Sequence, residues 1–396
     1  MSCTQIKQLE TLLRKQLTKK TIKNVNISRL TEPGENFGSI MYKLDIVLSN
    51  NDNGTEEILQ AVAKTLPDTE LWRKIFNIQV TYTNEMAFYE IVLPTFLEFQ
   101  RSLGINEVIN CFAECLAVRK NLLENSDIID DDAVIVLENL IPKGYNNIDR
   151  FKGFDLNTTK IILKDIAHLH AVALSLKLKD PKTFDEKVKK YCHVYEVPKE
   201  HNTNNGFLKA LIAENEECRQ YVSRIHGWGE IAKSPPREPF ATVVHEDLWT
   251  NNTMQKFENG QPIGNKLVDL QIYEYGSPAA DVFFFIFSSI PLEVLKRHLD
   301  DLLHFYHESL TSLLKKHKCD LKFSYDQFLE EMEFVSAYEF GHALLFHIIA
   351  VNGKKGGRES SEEIPSEDKF LKYISQPVKE KAWYMVKECV KRGWLK

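Results

Sequence analysis

The chain has 396 residues, too many for one compact core and enough for two packed lobes. With 43% hydrophobic and 27% charged residues it reads as an ordinary soluble globular protein, which excludes a disordered or fibrous chain. A formal net charge of −6 with scattered lysine and arginine argues against nucleic acid as the main partner. Seven cysteines, an odd number with no C-x-x-C pair, make a disulfide framework or structural zinc unexpected and point to a reducing, cytoplasmic location.

Met1 to Lys20 reads as a charged amphipathic helix without the apolar centre of a signal peptide. Asn36 to Ser49 alternates like a strand, "NDNG" at 51–54 is a hairpin turn, and "EILQAVAKTLP" returns as a second strand ending at Pro67. "TYTNEMAFYEIVLP" is expected to be a helix capped by Thr81 or Thr83 and stopped by Pro94. "EVINCFAECLAV" and "DDAVIVLENL" add two strands, closing a sheet lobe near Leu140. Beyond it, "TTKIILKDIAHLHAVALSLKL" has the spacing of a long helix with one buried face. Further helices are expected around 206–226, 293–317, 325–351 and 378–393, with short strands only near 241–245 and 266–271. The run Val282 to Ile290, ended by Pro291, is too short to cross a bilayer and reads as a core helix. The segment 352–368 reads as a glycine- and charge-rich loop. Residues 1–140 and 141–396 thus form a small sheet lobe and a larger helical lobe, and a cleft between lobes commonly holds a ligand.

Several chemistries are excluded by their missing motifs: G-x-S-x-G, H-E-x-x-H, Walker A and G-x-G-x-x-G. The pairs His304/His307 and His342/His347 lie in helical stretches without converging carboxylates or cysteines, so they read as ordinary helix histidines. Two acidic motifs remain: His245-x-Asp247-x4-Asn252, and Asp269-Leu270-Gln271 about seventeen residues on. Phosphoryl transfer asks for one carboxylate beside the acceptor hydroxyl and another holding Mg²⁺ on the nucleotide phosphates. Asn252 could add a neutral oxygen ligand. Upstream, Lys64 sits mid-strand, where a charge needs a partner or a ligand.

"VVHEDLWTNNTMQKF" with "LVDLQIYEYGSPAADVFFF" resembles the ecdysteroid kinase-like family, also called CHK kinase-like, related to choline kinases and aminoglycoside phosphotransferases. Those proteins typically read H-G-D-x-W-x-N-N-x-[ML], then D-F-Q and G-[SD]-P-x-x-D-[LV]. "AVAKTLP", "NEMAFYEIVLP", "VLENL" and "LKDIAHLHAVAL" match further family pieces, so the resemblance spans most of the chain. It implies an α+β, two-lobed protein-kinase-like fold, with an antiparallel β-sheet lobe carrying a helix and a larger, mostly helical lobe. It also implies an ATP- and Mg²⁺-dependent kinase acting on a small, lipophilic alcohol such as an ecdysteroid.

By the resemblance, Asp247 would be the catalytic base and Asn252 and Asp269 would bind Mg²⁺. Lys64 would contact the α/β-phosphates and pair with Glu85, with Glu90 a competing partner on the same helix. Gly34 and Gly38 would lie in the phosphate-covering turn. The backbone from Leu137 to Leu140, including Glu138, would hold adenine. His245 and Asp281 would brace the catalytic loop, while His170 and Trp249 would be packed core side chains. The sequence departs from the family by Glu246 in place of glycine and Leu270 in place of the D-F-Q aromatic. Glu246 is expected to point away from Asp247; a carboxylate turned toward it would weaken the site. That leaves a catalytically weak or inactive nucleotide- or ligand-binding protein as the rival reading.

Overall fold

A computed structural model describes residues 6–30, 38–123, 126–196, 206–348 and 374–396, and the backbone alone of 349–352. Gly34 and the loop expected at 352–368, from Gly353 onward, lie outside the described residues.

A short helix α1 (Leu9–Arg14) leads into strand β1 (Lys20–Arg29), so the expected N-terminal helix stops early and its last residue opens a strand. The β-branched alternation Thr21, Val25, Ile27 explains the switch, with β1 pairing along β2 (Ile40–Asn50). β2 turns at Gly54, whose φ of 69° a side-chain-bearing residue rarely adopts, into β3 (Glu56–Thr65). Next come α2 (Glu70–Ile75), α3 (Ile78–Ala87), a π-helical turn at Phe88–Val92 and α4 (Leu93–Ser102). β4 (Cys115–Arg119) and β5 (Val134–Glu138) complete an antiparallel sheet in the order β1-β2-β3-β5-β4.

The sheet's two faces have different fates because side chains alternate. On one face Ile40, Tyr42, Leu44, Ile46 and Leu48 of β2, with Ala61 and Ala63 of β3, pack against Leu9, Leu12 and Leu13 of α1. Lys64 therefore projects from the other face, toward α3.

The helix containing "NEMAFYEIVLP" differs from the expectation at both ends. It starts at Ile78 after Asn77, with Thr81 and Thr83 inside it, and it runs on past Pro94. Proline removes a helical N–H, and the wider π turn just before it absorbs the mismatch. Thr95 Oγ1 donates to the Ile91 carbonyl at 2.7 Å, restoring a bond there. Tyr82, Met86, Phe88, Val92 and Phe96 anchor this helix in the large core shared with the helical lobe.

That lobe begins after the two-residue strand β6 (Tyr145–Asn146) with α5 (Leu156–Lys179), N-capped by Asp155 through a 2.7 Å bond from the Thr158 N–H. α6 (Pro181–Lys187) and α7 (Gly206–Ala213) follow, the latter continued only by a 3₁₀ turn at Arg219–Arg224. β7 (Thr242–Val244) precedes the H-x-D-x4-N loop. β8 (Thr253–Glu258) and β9 (Gln261–Leu267) form a hairpin that pairs with β6, where only a strand near 266–271 was expected. β9 ends at Leu267, leaving Asp269 two residues beyond it with a φ of 67°. β10 (Glu274–Gly276) pairs with β7 and leads into α8 (Pro278–Ser289), every residue of which is buried. α9 (Leu292–Lys316), α10 (Tyr325–Asn352) and α11 (Gln376–Lys391) close the core around it. The protein has an α+β, kinase-like fold with an N-terminal antiparallel sheet and a large helical C-terminal portion.

Candidate active site

The residues singled out in sequence meet between the sheet and the helical portion. Lys64 Nζ lies 2.5 Å from Glu85 Oε2 and 2.8 Å from Asp269 Oδ1, bridging strand β3, helix α3 and the segment after β9. The Lys64 and Glu85 side chains are buried, whereas Asp269 is about a third exposed. Burial opposes the lysine charge, but Asp269 and Glu85 outweigh it and hold the ammonium above its usual pKa. Burial raises the Glu85 carboxyl to about 7, against the pull of Lys64. Glu90 is on the outer side of the same helix and takes no part.

Asn252 closes the other half. Its Nδ2 donates to both the backbone oxygen and Oδ2 of Asp247, each at 2.8 Å. A 3₁₀ turn at Thr250–Asn252 makes this possible by folding the loop back on itself. Asp247 Oδ1 is buried and has no hydrogen-bond partner among the described residues. Burial, then repulsion from Asp269, drives the Asp247 pKa well above its usual value, and the Asn252 bond only partly offsets them.

Asp281 holds the loop from below. Its Oδ2 accepts from the His245 N–H at 2.7 Å, and its Oδ1 accepts from the Glu246 N–H at 2.8 Å. His170 Nε2 also reaches Oδ2 at 3.0 Å, while its Nδ1 meets the Tyr306 hydroxyl at 2.6 Å. These bonds overcome burial and keep the Asp281 carboxyl below its usual pKa. His245 Nε2 donates to the Val268 carbonyl at 3.0 Å, tying the loop to the residue before Asp269.

At the far end of the sheet, the Glu138 side chain is structural: its Oε1 accepts from the Glu114 N–H at 2.9 Å and its Oε2 pairs with Lys143. Leu140 is buried where the chain leaves the sheet. At Gly38, an added Cβ would lie 3.3 Å from both Gln271 Oε1 and the Phe76 ring, a tight contact with the D-L-Q segment that glycine avoids.

The sequence model of the ecdysteroid kinase-like family matches residues 33–319. The chain belongs to that family. Among solved structures, it is similar to a microcompartment-associated aminopropanol kinase (11% identity, 98% of this chain and 99% of the other, TM-score 0.43). It is also similar to the GDP complex of wild-type aminoglycoside 2'-phosphotransferase-IIIa (11% identity, 94% and 96%, TM-score 0.39). A third is the Plasmodium vivax ethanolamine kinase (9% identity, 93% and 84%, TM-score 0.38). No curated protein matches the sequence.

The departure from this family's usual motif has a structural answer. Glu246 occupies a left-handed backbone conformation, φ 68°, which explains why glycine suits the position. Its buried carboxylate pairs with Lys233, which also reaches Glu274 Oε1 at 2.9 Å. Lys233 and Glu274 went unnoticed in the sequence because Lys233 lies in no motif and Glu274 falls between D-L-Q and G-S-P, at a position the family pattern does not specify. Leu270, in place of the aromatic, is fully buried in the large core.

The four helix histidines have packing roles: His304 stacks on Tyr325, His307 bonds to the Phe323 carbonyl, His342 bonds to Glu339 and His347 to the Val378 carbonyl. Among the described residues, no helix is long and apolar enough to cross a membrane.

Proposed function

We propose that this family member is a cytoplasmic kinase that transfers the γ-phosphate of ATP, with Mg²⁺, to a hydroxyl of a small lipophilic alcohol such as an ecdysteroid. The convergence of Asp247, Asn252, Asp269 and Lys64, with the Val268 N–H bonded to the Asn252 carbonyl at 3.0 Å and the Asp269 charge acting on Asp247, carries the reading. Residues 1–140 serve as the nucleotide-binding lobe and 141–396 as the catalytic and substrate-binding lobe.

The residues present fit the ion and the nucleotide. Asp269 and Asn252 offer a carboxylate and an amide oxygen, the hard donors Mg²⁺ takes alongside phosphates. The Asn252 nitrogen is committed to Asp247, which leaves its oxygen for the metal. Bound Mg²⁺ would neutralise charge on the phosphates during transfer. Lys64, charged and fixed by Glu85, binds the α/β-phosphates. The backbone at Glu138 and Leu140 holds adenine.

Asp247 orients the acceptor hydroxyl through its unpartnered Oδ1 and takes its proton. A carboxylate with a raised pKa is a stronger base than free aspartate, which suits that role. Asp281 and His245 keep Asp247 in place. The alternative of a catalytically weak or inactive binding protein drew on Glu246. That carboxylate is paired with Lys233, so it does not favour the alternative.

The test is magnesium-dependent phosphate gain on a panel of sterols, cholines and plant alcohols, read by mass spectrometry. Transfer lost in Asp247→Asn and in Asp269→Asn, with the fold intact, is expected. Absence of nucleotide binding in the presence of Mg²⁺ would refute the kinase reading.

A further inference from the structure

Lys233 lies in the loop between the 3₁₀ turn at Arg219–Arg224 and β7, yet its ammonium enters the loop that carries Asp247. It pairs with Glu246 Oε2, one residue before Asp247, and lies 2.9 Å from Glu274 Oε1 on β10. The lysine side chain is 32% exposed, against 4% for Glu246 and 8% for Glu274, so its stem reaches in from solvent to two carboxylates that water barely touches. The Lys233 loop is itself pinned to α10 on both sides of the lysine. Trp228 lies flat on His342, 4.5 Å between centroids and 6° between planes, and Arg237 Nε donates to Glu331 Oε1 at 2.7 Å.

Acids outnumber cations around it. Burial, then repulsion from Glu274, drives the Glu246 carboxyl well above its usual pKa; Lys233 opposes this, while Glu339 of α10 and Asp281 of α8 add to it. Burial also opposes the Lys233 charge, but Glu246, Glu274 and Glu339 outweigh it and hold the ammonium well above its usual pKa. Two further neighbours on α10 bring no positive charge near pH 7: burial lifts the Tyr338 phenol and keeps the His342 imidazole below its usual pKa. Lys233 is therefore the counter-charge of this cluster. The Glu246 backbone is held at a φ of 68° with its N–H donated to Asp281 Oδ1 at 2.8 Å. Swinging its carboxylate out to water would pull on that bond and on Asp247 beside it.

We propose that Lys233 is a positioning residue for Asp247: it neutralises Glu246, which stands where the family's usual motif has glycine, and ties the loop that carries Asp247 to α10. This rests on the kinase reading above for what Asp247 does. Lys233 and Glu246 are a matched pair, so the lysine is needed only because the glutamate is there. Removing the ammonium alone leaves Glu246 and Glu274 facing each other in a dry site, where they cannot both stay ionised without displacing the loop. With glycine at 246, Glu274 is left by itself and neutralises by taking up a proton.

The test compares the full-length wild type with Lys233→Met, Lys233→Arg and the double variant Lys233→Met/Glu246→Gly. Hydrogen–deuterium exchange of the amides at 245–252 reads the loop without needing turnover. At pH 8, exchange in Lys233→Met should be at least about tenfold faster than in wild type, and near wild type in Lys233→Arg and in the double variant. At pH 6, where both carboxylates hold protons, the excess over wild type should shrink. Phosphate transfer from ATP to ecdysone should show kcat down about tenfold in Lys233→Met with KM for ATP unchanged, and kcat restored in the double variant. Wild-type exchange in Lys233→Met overturns the proposal, as does a double variant as fast as Lys233→Met. Should Lys233→Met fail to fold, the double variant decides: folding restored supports the matched pair, and folding still lost overturns it. A wild type that phosphorylates no ecdysone counts against the kinase reading alone, and the exchange pattern still decides the role of Lys233.

Discussion

Replacing Lys64 by methionine removes the only described ammonium in contact with Glu85 and should change how stability depends on pH. In the wild type, the folded Glu85 carboxyl titrates near 7, above the ordinary glutamate value of about 4.3. Between those values the folded state holds a proton that the unfolded state has lost, so this group lowers stability as pH rises, and its contribution levels off above 7. Without Lys64, burial and Asp269 act on Glu85 unopposed, and its folded pKa moves higher still. The falling limb then continues past pH 7 at up to about 1.4 kcal/mol per pH unit. Lys64 itself, held above its usual pKa, does not titrate in this window. Urea unfolding of both proteins at pH 6, 7 and 8 measures the difference. The variant should be closest to wild type at pH 6 and should lose about 1 kcal/mol more than wild type between pH 7 and 8. Parallel stability curves across this window would refute the assignment of Glu85 as a buried acid restrained by Lys64. The variant should also lose phosphate transfer at every pH.

Asp281→Asn places an amide nitrogen against the N–H groups of His245 and Glu246 in the loop that carries Asp247. It should cost about 1–3 kcal/mol in thermal unfolding and reduce kcat, with nucleotide affinity preserved. Glu246→Gly relieves a left-handed backbone worth about 1 kcal/mol and deletes one of two carboxylates sharing Lys233; the melting temperature and kcat should stay within a narrow range of wild type, and a collapse in kcat would make Glu246 a functional group. Lys381 is buried, its nearest polar contact is the Ser288 carbonyl at 3.4 Å, and burial lowers its pKa to about 7. The unfolded state therefore binds the extra proton between about 7 and 10, so wild-type stability rises with pH there. Lys381→Met should be more stable than wild type at pH 7, with the gap closing at up to about 1.4 kcal/mol per pH unit toward pH 10 in calorimetric unfolding.

Local pattern and motif spacing were enough for much of this protein. The alternation of Ile40 to Leu48 defined β2, the helical spacing after Thr158 defined α5, and the apolar run ending at Pro291 defined α8, because each depends on side-chain periodicity along one element. Lys64, Glu85, Asp247, Asn252 and Asp269 were also legible, through motif and resemblance. Short-range signals misled where neighbours supply the missing partner. Pro94 does not stop its helix because a π turn and Thr95 take up the lost bond, and the start of β1 at Lys20 is set by pairing with β2 rather than by its own charge pattern. Other features belong to tertiary structure alone. Lys233 pairs with Glu246 across 13 residues and with Glu274 across 41, and no spacing rule connects them. Likewise, Trp228 meets His342 only when the loop before β7 packs on α10, since the 4.5 Å between their rings runs through space rather than along the chain.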